Sequence, residues 1–400
     1  MSGQTQKSDN SKFIGLLLFS GTDRAGTASE IFAALSPFSI KILDLEEILI
    51  SDRTIFTIQI ELDPAHADVL ESDLQLIATK LDLDFAAHFS NFTHFQSNAT
   101  SAKMILVGDS FTPKALSALT SVITKNGANI TRISKITTDP LLAIEFVIKI
   151  EAQKLPELRK EIAAVGREHK TAVTVLDNNA NSYGRKLLIC DVDSTLIAEE
   201  VIDLLAIKAN MGDEVAAITA AAMRGELDFK ESLTKRVQLL AGLDASALTE
   251  IRKDIHLTPG VKNLVTQMLV RGHLVAAVSG GFVDVIEDLM QEIGITKYRA
   301  NKLEIQDGKL TGKLTGKIID SHAKAETLID LANEAEIALS NTIAIGDGAN
   351  DFEMLKVAGT GIAFNAKPVL HQVADIVLNV TNLDSVLYLL GITSLEINGN

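Results

Sequence analysis

Lys186-Leu187-Leu188-Ile189-Cys190-Asp191-Val192-Asp193-Ser194-Thr195 decides how this chain folds. The apolar run from Leu187 to Cys190 has no polar alternation, so it reads as a strand covered on both faces, the kind found inside a parallel sheet. It ends on a carboxylate. Moving towards the C-terminus, further short aliphatic strands are expected at Leu274 to Val278, Thr342 to Ile345, Gly361 to Phe364 and Ile376 to Leu378, separated by helical patterns. This alternation predicts an α/β, Rossmann-like, doubly wound parallel sheet that takes its ligands at the C-terminal strand ends. The helix-rich stretch at about 199–256 interrupts the alternation directly after the first strand and reads as an inserted cap.

Towards the N-terminus the pattern changes. A strand at Phe13 to Phe19, a helix near Thr27 to Leu35, strands at Ile40 to Leu45 and Thr54 to Leu62, a helix at Ala65 to Leu81 and a strand at Asp84 to Phe89 give the order βαββαβ. The same order recurs at Lys103 to Gly108, Thr112 to Asn126, Asn129 to Thr137, Leu142 to Ile150, Leu155 to Lys170 and Ala172 to Leu176. Recurrence at this spacing indicates a duplicated module with helices on one sheet face. The expected organisation is a tail at 1–12, modules at 13–95 and 102–177, a polar linker at 178–184, the α/β block at 185–391 and a tail at 392–400.

The totals agree with layered α/β packing. The 400 residues are 46% hydrophobic but only 4% aromatic, with no Trp, so the cores must be aliphatic. A net charge of −15 argues against nucleic acid and anionic membrane as partners. The single cysteine, Cys190, allows no intrachain disulfide, and the polar N-terminus has no signal-like run. A cytoplasmic protein is expected.

The loops after the strands carry the chemistry. Asp191 at a strand end is placed to attack a phosphoryl group, and Asp193 to serve as acid and then base. Ser194 and Thr195 would offer hydroxyl and N–H groups to the phosphoryl oxygens. Ser279-Gly280-Gly281 before a helix from Phe282 forms an anion site, since the glycines allow close approach and the dipole favours negative charge. Lys324 supplies a fixed cation. In Gly346-Asp347-Gly348-Ala349-Asn350-Asp351, Asp347 is expected to ligate Mg²⁺ with Asp191 and the backbone carbonyl of Asp193, while Asp351 holds Lys324 or acts behind the ligands. His256, His273 and His322 show no spacing that builds a metal site.

These stations in this order resemble the haloacid dehalogenase superfamily of aspartate-nucleophile phosphatases, and within it the phosphoserine phosphatases. The resemblance covers residues 185–391 and implies hydrolysis of O-phospho-L-serine through an aspartyl-phosphate. It also implies that Glu200 binds the substrate amino group, Arg236 its carboxylate, Met223 and Phe229 line the serine pocket and Asn350 contacts substrate. The N-terminal modules resemble ACT domains, with Gly21-Thr22-Asp23-Arg24-Ala25-Gly26 at the family's first loop. That likeness implies an amino-acid effector such as serine and a homodimer. Transfer of the phosphoryl group to another acceptor, action on another small phosphate ester, and a non-enzymatic amino-acid sensor are the competing readings.

Overall fold

The computed structural model describes residues 12–92, 99–137, 141–177 and 184–398. The expected N-terminal tail, apart from Lys12 which opens a strand, and the polar linker Asn178 to Ser182 lie outside the described residues. The expected C-terminal tail is instead packed, with Ile392 in the core and a helix at Ser394–Asn398. The chain divides into two compact units, Met1–Asn98 and Ala99–Asn400.

In the first unit, strands β1 (Lys12–Thr22), β2 (Lys41–Ile50), β3 (Arg53–Glu61) and β4 (Leu83–Phe92) form an antiparallel sheet in the order β2-β3-β1-β4. Helices Thr27–Leu35 and Ala67–Leu81 bury Ile31, Leu70 and Leu74 against Leu17 and Phe19 of β1. Each such side chain contributes roughly 1.5–3 kcal/mol on leaving water. The alternate residues of β1, Leu16 and Leu18, stay exposed on the other sheet face. Strand β2 runs five residues beyond the expected Leu45, to Ile50, and is exposed along its whole length.

The second unit opens with the repeat of that module. Strands β5 (Ala99–Gly108), β6 (Asn129–Lys135), β7 (Leu142–Glu151) and β8 (Ala172–Asp177) are ordered β6-β7-β5-β8, with helices Pro113–Lys125 and Leu155–Glu168 on one face. Here both faces of the central strand are covered. Met104 and Leu106 meet the module's own helices, whereas Ile105 and Val107 join the core of the catalytic block.

That block is built on β9 (Leu187–Cys190), β10 (Leu274–Phe282), β11 (Lys297–Gln306), β12 (Lys309–Thr315), β13 (Thr342–Gly346), β14 (Thr360–Phe364) and β15 (Ile376–Leu378). The seven-stranded sheet runs β12-β11-β10-β9-β13-β14-β15. β9 lies between β10 and β13, parallel to both, with Cys190 level with Ala277 and Ile345. Leu188 and Cys190 pack into one core and Leu187 and Ile189 into the other, which is why the run shows no polar alternation.

The sheet departs from the all-parallel expectation at one edge, where β12 runs antiparallel to β11. Its hairpin turns at Asp307 and Gly308, both with positive φ (52° and 75°). This is the Asp-Gly signature of a tight hairpin. The helix expected from Phe282 starts at Val283, because Ser279 to Phe282 continue as extended chain. The cap holds helices Val201–Lys208, Gly212–Met223, Phe229–Gln238 and Ser246–Glu250. Its two connections are stitched together by Ala198 N–H to His256 O (2.9 Å) and Thr258 N–H to Leu196 O (3.0 Å). The edge hairpin grips its far side through Gly242 N–H to Leu310 O (2.8 Å).

Candidate active site

The loops leaving β9, β10 and β13 meet under the cap around a cleft of about 410 Å³, lined by Asp191, Asp193, Gly280, Asp347 and Asn350 from below and Glu200, Phe229 and Arg236 from above. This placement follows from the topology, since the strand order changes direction at β9. Of the remaining expected residues, Ser279, Lys324 and Asp351 are fully buried. The side chain of Met223 lies outside the described part.

At the floor, Lys324 Nζ lies 2.7 Å from Asp191 Oδ1 and 2.7 Å from Asp351 Oδ1. Lys324 comes from helix Ser321–Glu334, whose N-terminus Asp320 caps by accepting the Ala323 N–H (2.8 Å). Burial alone would pull its ammonium down, but Asp191 and Asp351 outweigh that and raise it above the ordinary lysine range. Asp351 Oδ2 also accepts the N–H groups of Asp347 (3.2 Å) and Gly348 (3.0 Å). This close turn requires Gly346, because a Cβ there would lie 2.5 Å from Asp351 Oδ2. Asp191 Oδ1 additionally accepts the Val192 N–H at 2.7 Å. Its carboxyl is pushed well above the usual range, first by burial and then by Asp351, with Lys324 acting in the opposite sense.

Asp193 is held by two elements at once. Its Oδ2 accepts the Ser279 hydroxyl (2.8 Å), and its Oδ1 accepts the N–H of Val201, the first residue of the cap's first helix. Burial raises its carboxyl, partly offset by those hydrogen bonds. Ser279 Oγ in turn accepts the Gly281 N–H at 2.7 Å, and a Cβ at Gly281 would lie 2.7 Å from Asp193 Oδ2. The hydroxyls expected to face a phosphoryl group are instead turned onto carboxylates. Ser194 Oγ donates to Glu200 Oε1 (3.0 Å) and Thr195 Oγ1 to Asp347 Oδ1 (3.5 Å), since buried carboxylate oxygens are the strongest acceptors nearby. Ser194 adopts positive φ (56°), a strained turn for a residue with a Cβ.

Above the floor, Glu200 is raised to about 7, chiefly by burial and then by Asp193 and Asp347. Arg236 is lowered by burial, which outweighs the attraction of Glu200, Asp203 and Asp193. Its Nε is buried without a hydrogen-bond partner, a costly arrangement unless a ligand supplies an acceptor. The Phe229 ring lies over Gly280, where an added Cβ would meet Cζ at 3.0 Å.

Reading along the sequence missed Asn301 and Lys367. Asn301, 2% exposed on β11, donates to Gly280 O (2.8 Å) and accepts the Ile319 N–H (2.8 Å). It ties the glycine loop to the segment leading into the Lys324 helix. Its only sequence signal was the hairpin that carries it. Asn301→Ala should lower turnover several-fold and destabilise the chain by about 1–3 kcal/mol, because Gly280 O and Ile319 N–H are left unpaired. Urea unfolding alongside steady-state kinetics checks both, and unchanged turnover would place Asn301 outside the site's support. Lys367 lines the cleft and pulls down the carboxyls of Asp347 and Glu200.

Asp191, Asp347 and Asp351 form the one acidic group among the described residues with a metal-like arrangement, ligand atoms lying within 4.8 Å of one another. Asp351 spends both oxygens on Lys324 and backbone N–H groups. Asp191 and Asp347 therefore remain as donors. An all-oxygen donor set suits a hard divalent cation that keeps several waters. Burial, and then Asp351, raises Asp347 to about 6, a repulsion that such a cation would relieve.

Residues 188–356 match the haloacid dehalogenase-like hydrolase family, and residues 15–88 and 100–175 each match an ACT domain family. The chain is 41% identical to the phosphoserine phosphatase of Streptomyces coelicolor over 94% of its own length and 92% of that protein. It is 36% identical to phosphoserine phosphatase SerB2 of Mycobacterium tuberculosis, covering 96% of this chain and 94% of that one. Among solved structures it is similar to a HAD family hydrolase from Salmonella enterica serovar Typhi, with 28% identity, TM-score 0.60, and 72% and 98% of the two chains covered. With this cleft beneath a helical cap and two ACT modules ahead of it, the chain belongs to the phosphoserine phosphatase family of haloacid dehalogenase-like hydrolases.

Proposed function

We propose that the protein hydrolyses O-phospho-L-serine to L-serine and phosphate, the last step of serine synthesis, with Asp191 as nucleophile. The observation that carries the substrate is the pairing of Glu200 with Arg236, whose Nε is buried and unpartnered on the same cleft wall. A phosphorylated amino acid presents an ammonium to Glu200 and a carboxylate to Arg236, whose planar fork can bind both carboxylate oxygens. Phe229 bounds the space left for the side chain, and Asn350 completes the pocket.

Lys324 fixes one oxygen of Asp191, so the other is the attacking atom. Attack forms an aspartyl-phosphate while Asp193 protonates the departing serine oxygen. Asp193, then ionised, takes a proton from water, which hydrolyses the acyl phosphate and restores Asp191. Burial helps the first step by favouring the protonated Asp193. The Gly280 N–H and Lys324 stabilise the phosphoryl charge, while the Gly281 N–H holds the Ser279 hydroxyl that orients Asp193. Mg²⁺ would be held by Asp191, Asp347 and the backbone carbonyl of Asp193, and its charge would let a phosphate dianion lie beside these carboxylates. Phosphate release from O-phospho-L-serine that is lost with a chelator and regained with Mg²⁺ is the supporting result. Absence of release from the full chain overturns the reading.

The buried carboxyls give this metal reading a signature in stability. Raised values of about 6 for Asp347 and about 7 for Glu200 mean that the fold prefers their protonated forms. Their stabilisation is present below the unfolded values of 3.8 and 4.5 and is lost as pH rises through 6 to 7. Metal-free chain should therefore gain more melting temperature from Mg²⁺ at pH 8 than at pH 5.5. Equal gains by differential scanning calorimetry at both pH values would count against metal binding at these carboxylates.

The ACT modules are read as the regulatory part, responding to an amino acid such as serine. The turn from Gly21 to Gly26, with Gly26 in left-handed conformation (φ 95°), is the effector loop of the first module. The exposed edge strand β2, with Ile42, Leu45, Leu49 and Ile50 in water, supports a homodimer. No helix among the described residues is long and apolar enough to cross a membrane, in keeping with a cytoplasmic enzyme. Serine titration of turnover, light scattering and cell fractionation test these three points; a serine-independent rate, a monomer or a membrane-bound fraction would remove the respective one.

A further inference from the structure

A second cavity, of about 680 Å³, lies within the Ala99–Asn400 unit, at the opposite end of the catalytic sheet from the cleft. One wall is formed by Lys186 and the first residues of β13 and β14, which are N-terminal strand ends. The other is helix Leu155–Glu168 of the second ACT module, which contributes Arg159, Lys160 and Arg167. Spacings of seven and eight residues bring Arg167 onto the same helix face as Lys160 and Arg159.

None of these four cations forms an ion pair among the described residues. Arg159 Nε donates to Val175 O (3.0 Å) and Arg167 Nη1 reaches Ala374 O at 3.5 Å, both neutral backbone acceptors. Lys186 is half-buried, and burial lowers its ammonium with no carboxylate acting to restore it. Two carboxylates, Asp177 and Asp375, share the lining, and Asp375 already accepts the Gly361 N–H at 2.8 Å. Four cations against two carboxylates leave a formal charge of plus two, in a chain whose net charge is −15. A local positive island of this kind, in a cavity of ligand size, selects for a small anion.

We propose that this cavity binds a phosphoryl dianion, free or on a small metabolite, bridging the second ACT module and the catalytic block. Guanidinium forks at Arg159 and Arg167 match phosphoryl oxygens from one side, and the Lys186 ammonium meets them from the other. Bound there, the anion ties the ACT helix to the residue just before β9, beyond whose far end stands Asp191.

Equilibrium dialysis of the full chain against radiolabelled inorganic phosphate tests the site. Two equivalents per chain are expected, one at the catalytic cleft and one here. Arg167→Gln and Lys186→Gln should each lose one equivalent while hydrolysing O-phospho-L-serine at the wild-type rate, which shows that each variant is folded. Displacement of that equivalent by adenosine monophosphate would identify a phosphorylated metabolite as the ligand type, and resistance to it would identify free phosphate. A single equivalent in the unaltered chain, or a second that survives either substitution, overturns the proposal.

Discussion

Asp191→Asn should reduce turnover by at least about 10⁴-fold while the chain melts no lower than before. The two halves of this expectation have one cause. Asp191 is a buried carboxylate crowded by Asp351, and Lys324 compensates both of them together. Asparagine keeps the shape and removes one negative charge, leaving Lys324 and Asp351 as a balanced pair. The nucleophile is lost and the repulsion with it, as expected where stability has been given up for reactivity. Phosphate release and calorimetry on the same preparation read both effects. Retained turnover would remove Asp191 as nucleophile, and a large fall in melting temperature would show that the carboxylate is needed for the fold.

Arg236→Ala is the second large effect. It should cost roughly 2–5 kcal/mol in kcat/KM for O-phospho-L-serine, a factor of about 30 to 5,000, because a buried charged contact is lost. The loss should all but vanish for O-phosphoethanolamine, which has the ammonium and phosphate but no carboxylate. Stability should change little or improve, since the Arg236 Nε has no partner and burial already disfavours the charge. Equal losses on the two substrates would mean that Arg236 supports the cap rather than reading the carboxylate.

The strands that carry the cleft were legible because burial on both faces leaves an unbroken aliphatic run, as at Leu187 to Cys190. Motif spacing also placed Asp191 and Asp347 at loops, and Lys324 at a helix start, that the topology brings together. The edge hairpin was missed because Lys297 to Gln306 mixes charged and apolar residues and looks like loop. Its Asp307-Gly308 turn was the available signal, and Asn301 was lost with it. Side-chain direction was not legible at all. Ser194 and Thr195 were read as phosphoryl contacts, yet the fold turns them onto Glu200 and Asp347.

The duplicated modules show the same limit. Leu16 and Leu18 in the first and Ile105 and Val107 in the second occupy like positions in similar aliphatic strands. One pair is exposed and the other is core of the catalytic block. A strand's period of two says which residues share a face, not what covers it.

The central claim is that Asp191 attacks the phosphate of an amino-acid ester held at both ends by Glu200 and Arg236. The ratio of kcat/KM for O-phospho-L-serine to that for p-nitrophenyl phosphate, measured on the full chain with Mg²⁺, tests it most directly. Charge-assisted contacts at two ends, each worth about 1.5–3 kcal/mol, predict a preference of roughly 100-fold or more for phosphoserine. A ratio near one would contradict the account.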